Sequence, residues 1–417
     1  MRILITDGNE RVALAAARSL RSAGHRVWVA APTRLSLAGV SRGVLSVRLE
    51  IDPLVDPVGY AVELARLARR ERIEVLLPMT DPSLEAVLEW RGALPRDVRL
   101  PFPDLTTYRT ASDKLRILDL ARSSGFAVPE TRVIAGPEDC EDAIAGARFP
   151  AVVKPHRSVV TIGDTRHKLT VTQVDDPAAC RRALGALPAA AFPVLLQRWV
   201  SGVGEGYFAL RWGGRLVATF AHRRLREKPP AGGVSVYRES IPLAESLAGP
   251  GARLLDALDW NGAAMIECKR EETPGGVRHV VMEVNGRFWG SLQLAIDAGV
   301  DFPALLVRCA AGETVPASRS YRAGVRSRWF WGDVDHLYLR FRERRAPLRA
   351  LRDFLRFSPG RDRGETWRWR DPVPFCVETL QWLGVLRTRA PFTPRTGGAR
   401  SRSTATPTES APDSGVR

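Results

Sequence analysis

Val280-Val281-Met282-Glu283-Val284-Asn285-Gly286-Arg287-Phe288-Trp289-Gly290-Ser291 reads as a buried strand that delivers polar groups at its end, because three apolar residues lead into Glu283. Side chains alternate along a strand, so Glu283 and Asn285 share one face and Val284 turns to the other. A carboxylate beside an amide oxygen is a hard-oxygen half-site for Mg²⁺. Arg287 continues that face with a planar, permanently charged donor suited to phosphate or carboxylate. Acid, amide and cation in one row are what a bound Mg–nucleotide requires.

A second acid lies upstream in Ala263-Ala264-Met265-Ile266-Glu267-Cys268-Lys269, another apolar strand. Pro274-Gly275-Gly276 joins the two as a hairpin, which sets Glu267 opposite Glu283 and completes a site for one or two Mg²⁺. The alternative is a surface hairpin with ordinary charges. Acids at the ends of apolar strands favour the site.

Glu267, then Glu283-x-Asn285-x-Arg287, then Leu294-Ala295 and Ala298-Gly299-Val300-Asp301-Phe302-Pro303, resemble the metal-binding end of the ATP-grasp superfamily, which includes D-alanine–D-alanine ligase, biotin carboxylase and carbamoyl-phosphate synthetase. Phe288-Trp289-Gly290-Ser291 and Gly299-Val300-Asp301 most resemble a branch of carboxylate–amine ligases. The resemblance covers residues 1–310. It implies an α/β fold: a Rossmann-like domain over 1–108 and a two-lobed ATP-grasp domain over 109–315, hinged near 197–202. A small basic helical extension over 316–387 and a disordered tail over 388–417 complete the expected organisation.

Bulk properties agree with a folded chain of two or three domains. Of 417 residues, 45% are hydrophobic and 26% charged, and no run of about 18 apolar residues occurs. Five cysteines without CxxC spacing read as free thiols, which suggests a reducing cytoplasm and no zinc site. The net charge of +16 is uneven: residues 318–417 hold 21 Arg and 10 acids, while the first 317 carry 41 basic and 36 acidic side chains. A nucleic-acid-binding surface is therefore not expected. Only five basic residues are Lys, namely Lys114, Lys154, Lys168, Lys228 and Lys269. In so Arg-biased a chain, a retained Lys points to a need for its compact ammonium.

Ile3–Thr6, Val27–Ala30 and Val75–Pro78 read as strands alternating with helices Arg11–Ala23 and Tyr60–Arg70, a parallel-sheet pattern. The turn Asp7-Gly8-Asn9-Glu10 lacks GxGxxG, so a dinucleotide site is not expected. Asp81 follows the third strand, where ligands of open α/β sheets gather, or else it caps the next helix before Pro82. By resemblance, Lys114 at a helix start and Lys154 at the end of Ala151-Val152-Val153 contact phosphate. The family's next loop is glycine-rich, whereas His156–Thr165 here has one glycine, Gly163. Val194–Gly202 resembles the lobe hinge where adenine sits, with Gln197 as its side-chain acceptor, Arg198 and Val200 as backbone partners, and Glu205 for the ribose.

The cationic Gly/Pro-rich stretch Leu225–Arg238 offers Lys228 for the γ-phosphate and Arg238 for a substrate carboxylate, or is a surface excursion. Trp329-Phe330-Trp331 precedes a basic amphipathic segment in which Leu348, Leu351, Phe354 and Leu355 interleave with Arg349, Arg352 and Arg356. Docking on the catalytic body is favoured over contact with an anionic membrane, because Pro347 and Pro359 keep the helix short. The resemblance implies a C–N ligase using ATP and Mg²⁺ (Mn²⁺ the alternative ion), with small carboxylate and amine substrates and room for a homodimer. A carboxylation through carboxyphosphate, or a non-catalytic nucleotide-binding or membrane-associated scaffold, are the rival readings.

Overall fold

The computed structural model describes residues 1–385 apart from 158, 163, 164, 319, 344 and 345. Expectations for Gly163 and for 388–417 therefore fall outside the described residues. The chain opens with β1 (Arg2–Ile5), α1 (Arg11–Ser22), β2 (Arg26–Ala31), β3 (Leu45–Arg48), α2 (Pro57–Glu71), β4 (Val75–Leu77) and α3 (Asp81–Glu89). The four strands form a parallel sheet in the order β3-β2-β1-β4. Edge strand β3, Leu45-Ser46-Val47-Arg48, has no buried residue, and so its sequence lacks the apolar run that announces the others. Asp7, at φ 57°, closes the first turn by accepting from Met79 N at 3.1 Å, Thr80 Oγ1 at 3.2 Å and Ser83 Oγ at 2.7 Å. Thr80, in extended backbone, caps α3 by accepting from Ser83 N, so Asp81 is the first helical residue rather than the cap.

Next come α4 (Leu105–Ser112), which straddles the boundary expected at 108, and α5 (Lys114–Ser123), capped by Asp113. A smaller lobe follows: β5 (Thr131–Ile134), α6 (Cys140–Ala145), β6 (Ala151–Pro155), the hairpin β7 (Val159–Ile162) and β8 (Thr165–Lys168), β9 (Thr172–Val174), α7 (Pro177–Gly185) and β10 (Val194–Arg198). Its sheet runs β5-β10-β6-β9 over a core that includes Ile134, Val153, Cys180 and Leu196. Among the described residues the strands of this hairpin pair only with each other. From β10 the chain crosses within four residues to the large sheet. Gly202 permits this, with φ 126° and space for no Cβ, which would lie 2.2 Å from the Arg270 carbonyl oxygen.

The large sheet holds β11 (Val203–Trp212), β12 (Arg215–Lys228), β13 (Val234–Ser240), β14 (Gly262–Thr273), β15 (Gly276–Asn285), β16 (Arg326–Arg328) and β17 (Asp362–Gly364), ordered β15-β14-β11-β12-β13-β16-β17. Helices α8 (Glu245–Ala257), α9 (Leu292–Ala298) and α10 (Phe302–Ala310) complete this part. One hydrophobic core unites Ile5, Leu14 and Leu20 of the first unit with Phe208, Trp289, Phe302 and Leu306. The segments 1–108 and 109–315 thus share a core, although their sequence patterns read as separate domains.

The C-terminal segment is not purely helical, because β16 and β17 extend the large sheet beyond β13. Its helices are α11 (Phe330–Arg342), α12 (Pro347–Leu355) and α13 (Val373–Trp382). Arg226 holds Asp333 of α11 at 2.6 and 2.7 Å, and Asp371 joins Arg18 at 2.8 Å and Ser41 at 2.6 Å, so this segment is tied to both the sheet and the first unit. By contrast α12 has no buried residue, and Leu348 is 81% exposed. Docking holds the helices on either side of the apolar stripe, while α12 itself stays at the surface. Among the described residues no helix is long and apolar enough to cross a membrane.

Glu378 of α13 accepts from Trp329 Nε1 at 2.8 Å and Thr366 Oγ1 at 2.7 Å, and burial pushes its carboxyl up to about 6. The folded chain therefore binds this proton more tightly than the unfolded chain, and stability falls as pH rises from about 4.5 to 6. Glu378→Gln keeps an acceptor for Trp329 without the buried charge. Its thermal stability should lose that pH dependence and exceed the parent's at pH 7, by up to about 2 kcal/mol. Melting curves at pH 5 and 7 check this; an unchanged slope would refute it.

Candidate active site

Strands β14 and β15 are joined as the anticipated hairpin, with Glu267 directly opposite Glu283 and Met265 opposite Asn285. Asn285 Nδ2 donates to Glu283 Oε1 at 3.1 Å, so the period-two reading of that face holds. Glu267 is not at a strand end, since β14 continues six residues beyond it. A bulge just after Glu267 sets the local twist there. Burial raises the Glu267 carboxyl above the usual carboxylate range, Arg224 opposes this, and Glu283 adds to it. Two facing carboxylates with an amide alongside suit a hard divalent cation, which relieves their repulsion. Among the described residues no group of three His, Cys, Asp or Glu side chains converges to hold a metal ion.

Lys154 is carried to this place by the last turn-ward residues of β6 and is only 8% exposed. Burial lowers its pKa, Glu283 and Glu267 draw it up, and Lys114 and Lys269 press it down. Two lobes thus face one another, acids on the large sheet and lysines on the small one and α5. Lys114 N donates to the His156 carbonyl at 3.0 Å, which joins the start of α5 to the residue following β6. The cleft between them is lined by Asp81, Glu85, Lys114, Arg157, Glu283 and Asn285, among others.

At the hinge, Gln197 is 2% exposed and donates from Nε2 to Thr131 Oγ1 at 3.1 Å, while its Oε1 is buried without a partner. An orphaned acceptor at the lobe junction fits an adenine amino group. Val200 is buried beside it in sequence, and the Arg198 amide already donates to Glu130 O at 2.9 Å, leaving its carbonyl rather than its N–H for a ligand. Glu205 departs from expectation. It pairs in register with Cys268, while neighbouring Gly206 pairs with Glu267, so Glu205 faces the other side of the sheet. There it accepts from His279 Nε2 at 2.9 Å. Its parity along β11 could be fixed only once the register with β14 was known.

Asp81 and Arg287, assigned separate roles from sequence, form one bidentate ion pair at 2.8 and 2.7 Å, and Tyr108 Oη adds a donor to Asp81 at 3.0 Å. Lys228 is turned away from the acids: its Nζ lies 2.6 Å from Asp335 of α11. Two register shifts in β12 separate Arg224 and Glu227, which bind one another at 2.8 Å, from Arg226 and Lys228, which bind Asp333 and Asp335 of α11. Arg238 is fully buried, with Ser235 O at 2.7 Å and an ion pair to Glu365, which also binds Arg11. Neither the γ-phosphate role for Lys228 nor the carboxylate role for Arg238 matches these positions. Arg224, which sequence reading missed, lies against Glu267 and holds Glu227 at 2.8 Å. Lys269 joins it, 3.7 Å from Glu227. The only sequence signal for Arg224 was strand alternation in a run of arginines, and that leaves its face undecided.

No family model matches the chain. It is 30% identical over 124 residues to a D-alanine–D-alanine ligase of Stutzerimonas stutzeri, and this match spans 29% of the chain and about a third (35%) of that ligase. Among solved structures it is similar to an L-amino acid ligase from Bacillus licheniformis, with TM-score 0.56, 17% identity, and 74% of this chain and 73% of that one covered. It is similar as well to the biotin carboxylase domain of the Hydrogenobacter thermophilus 2-oxoglutarate carboxylase, solved with MgADP and bicarbonate, at TM-score 0.58 and 14% identity over 78% and 73% of the two chains. With two facing lobes, a carboxylate hairpin on one and a buried lysine on the other, the chain has the fold of these solved structures.

Proposed function

We propose that the protein is an ATP-dependent carboxylate–amine ligase. The observation that carries this reading is Glu267 facing Glu283 beside Asn285, across the cleft from buried Lys154. Glu267, Glu283 and Asn285 would hold Mg²⁺, which supplies charge neutralisation on the phosphates. Lys154 and Lys114 take phosphate charge, and Gln197 Oε1 receives the adenine amino group. A substrate carboxylate oxygen attacks the γ-phosphorus and ADP leaves. The amine then attacks the acyl carbon, the C–N bond forms, and phosphate departs with the carboxyl oxygen it gained. Alignment and charge suffice for both steps, and no side-chain nucleophile enters.

A screen of amino acids and small carboxylates for ADP release tests this reading. Release that needs both a carboxylate and an amine supports it. Release driven by bicarbonate alone would select the carboxylase chemistry instead. The adenine contact has its own check: Gln197→Leu removes the orphaned acceptor and should weaken ATP binding about tenfold, the worth of one hydrogen bond in a dry pocket. Calorimetric titration with ADP reads it, and unchanged affinity would remove Gln197 from the site.

A further inference from the structure

The hairpin that lines the phosphate end of the cleft lacks the glycines expected to fold over a ligand. One of its residues, Arg166, is paired to α3. Asp81, Glu85 and Glu89 recur every fourth residue and so share one face of that helix. Each meets an arginine from a different element. Asp81 holds Arg287 at the end of the metal-binding hairpin. Glu85 holds Arg109 of α4 at 2.9 Å, and the same arginine reaches Glu89 at 3.3 Å. Glu89 also binds Arg166 of β8, whose backbone N–H donates to Leu54 O of the first unit at 3.1 Å.

We propose that this acidic face is the positioning element of the cleft: it fixes Arg287, Arg109 and Arg166, and through Arg166 it seats the β7–β8 hairpin against the first unit. The inference deepens the nucleotide-binding reading and rests on it for its consequence in catalysis. Its geometric half does not. Thr161 of β7 pairs with Arg166, and Arg157 and Val159 at the hairpin's start line the cleft with Lys114, Glu283 and Asn285. Holding Arg166 therefore holds the wall under which the phosphates would lie. Each pair is partly exposed, with side-chain exposure of 30% for Glu89 and 37% for Arg109, so none is a strong stabiliser alone. Pairs of this kind fix position more than they add stability, and salt weakens them. Asp81, Glu85 and Glu89 are positioning residues, acting through the arginines.

The test is a charge swap in the full chain, using Glu89→Arg, Arg166→Glu and the double variant, with Arg166→Gln as a milder removal of the charge. Amide exchange is measured without nucleotide, and steady-state kinetics with ATP alongside. Each single variant should speed exchange of the Arg166 amide and of β7 by about tenfold or more, and raise the KM for ATP about tenfold with kcat within about threefold. The double variant should restore both in part, because the pair with position 166 is rebuilt with its ends exchanged while Arg109, 3.3 Å from Glu89 in the parent, then faces an arginine. Unchanged exchange in the single variants, or a double variant no better than either, overturns the proposal. If no ADP release is found under any condition, the ligase reading fails, while the exchange arm still decides whether the latch exists.

Discussion

Glu283→Gln should lower ADP release by about a hundredfold or more while leaving the fold intact, as loss of one metal-ligating carboxylate does. The substitution is close to isosteric, and its remaining oxygen can still accept from Asn285 Nδ2, the contact that now measures 3.1 Å. The stability change should therefore stay within about 1 kcal/mol, by analogy with replacements that neither open a cavity nor strand a polar group. What is lost is charge at one point. Glu267 then faces an amide, and Lys154 loses the larger of the two carboxylate influences that draw its pKa up. Nucleotide binding and turnover should thus separate, with the metal dependence of ADP release shifting to higher Mg²⁺ concentration. Activity near the parent value would remove Glu283 from the site.

The second large effect concerns Lys154. Its alanine variant should bind ATP about 10- to 100-fold more weakly, because a charge-assisted hydrogen bond contributes roughly 1.5–3 kcal/mol. Lys154→Arg should not restore the affinity. The residue is buried in β6, where Glu283 and Glu267 draw its pKa up while Lys114 and Lys269 press it down. A guanidinium is broader and planar, and it would displace packing that a compact ammonium leaves undisturbed. The chain otherwise uses Arg for 57 of its 62 basic residues, so the exception is informative. Of the five lysines, Lys114 and Lys269 lie near enough to Lys154 to press its pKa down, and Lys114 lines the cleft. Calorimetry with ADP and with ATP would decide the point, and full affinity in the arginine variant would show that the lysine was not selected for its shape.

Local periodicity made the hairpin legible. The placement of Glu283 and Glu267 opposite one another was readable because strand alternation and a Pro-Gly-Gly turn are properties of adjacent residues, and the register that sets the two acids face to face follows from the turn. The small-lobe strand bearing Lys154, the helix start at Lys114 and the crossing after Gln197 were readable for the same reason. The C-terminal segment misled because its two three-residue strands, β16 and β17, are too short to show any period, and their place at the sheet edge depends on β13.

The sequence alone determined which residues of β15 share a face, by period two, and set a few lysines apart in an arginine-rich chain. Only the tertiary structure decided which faces meet. It turned Glu205 behind the sheet, gave Lys228 to Asp335 and Arg238 to Glu365, set Arg224 against Glu267, and joined Asp81 to Arg287 across 206 residues. Parity within an element is fixed by covalent geometry. The partner across a cleft is fixed by how separate elements pack on one shared core, and nothing in a local window records that choice.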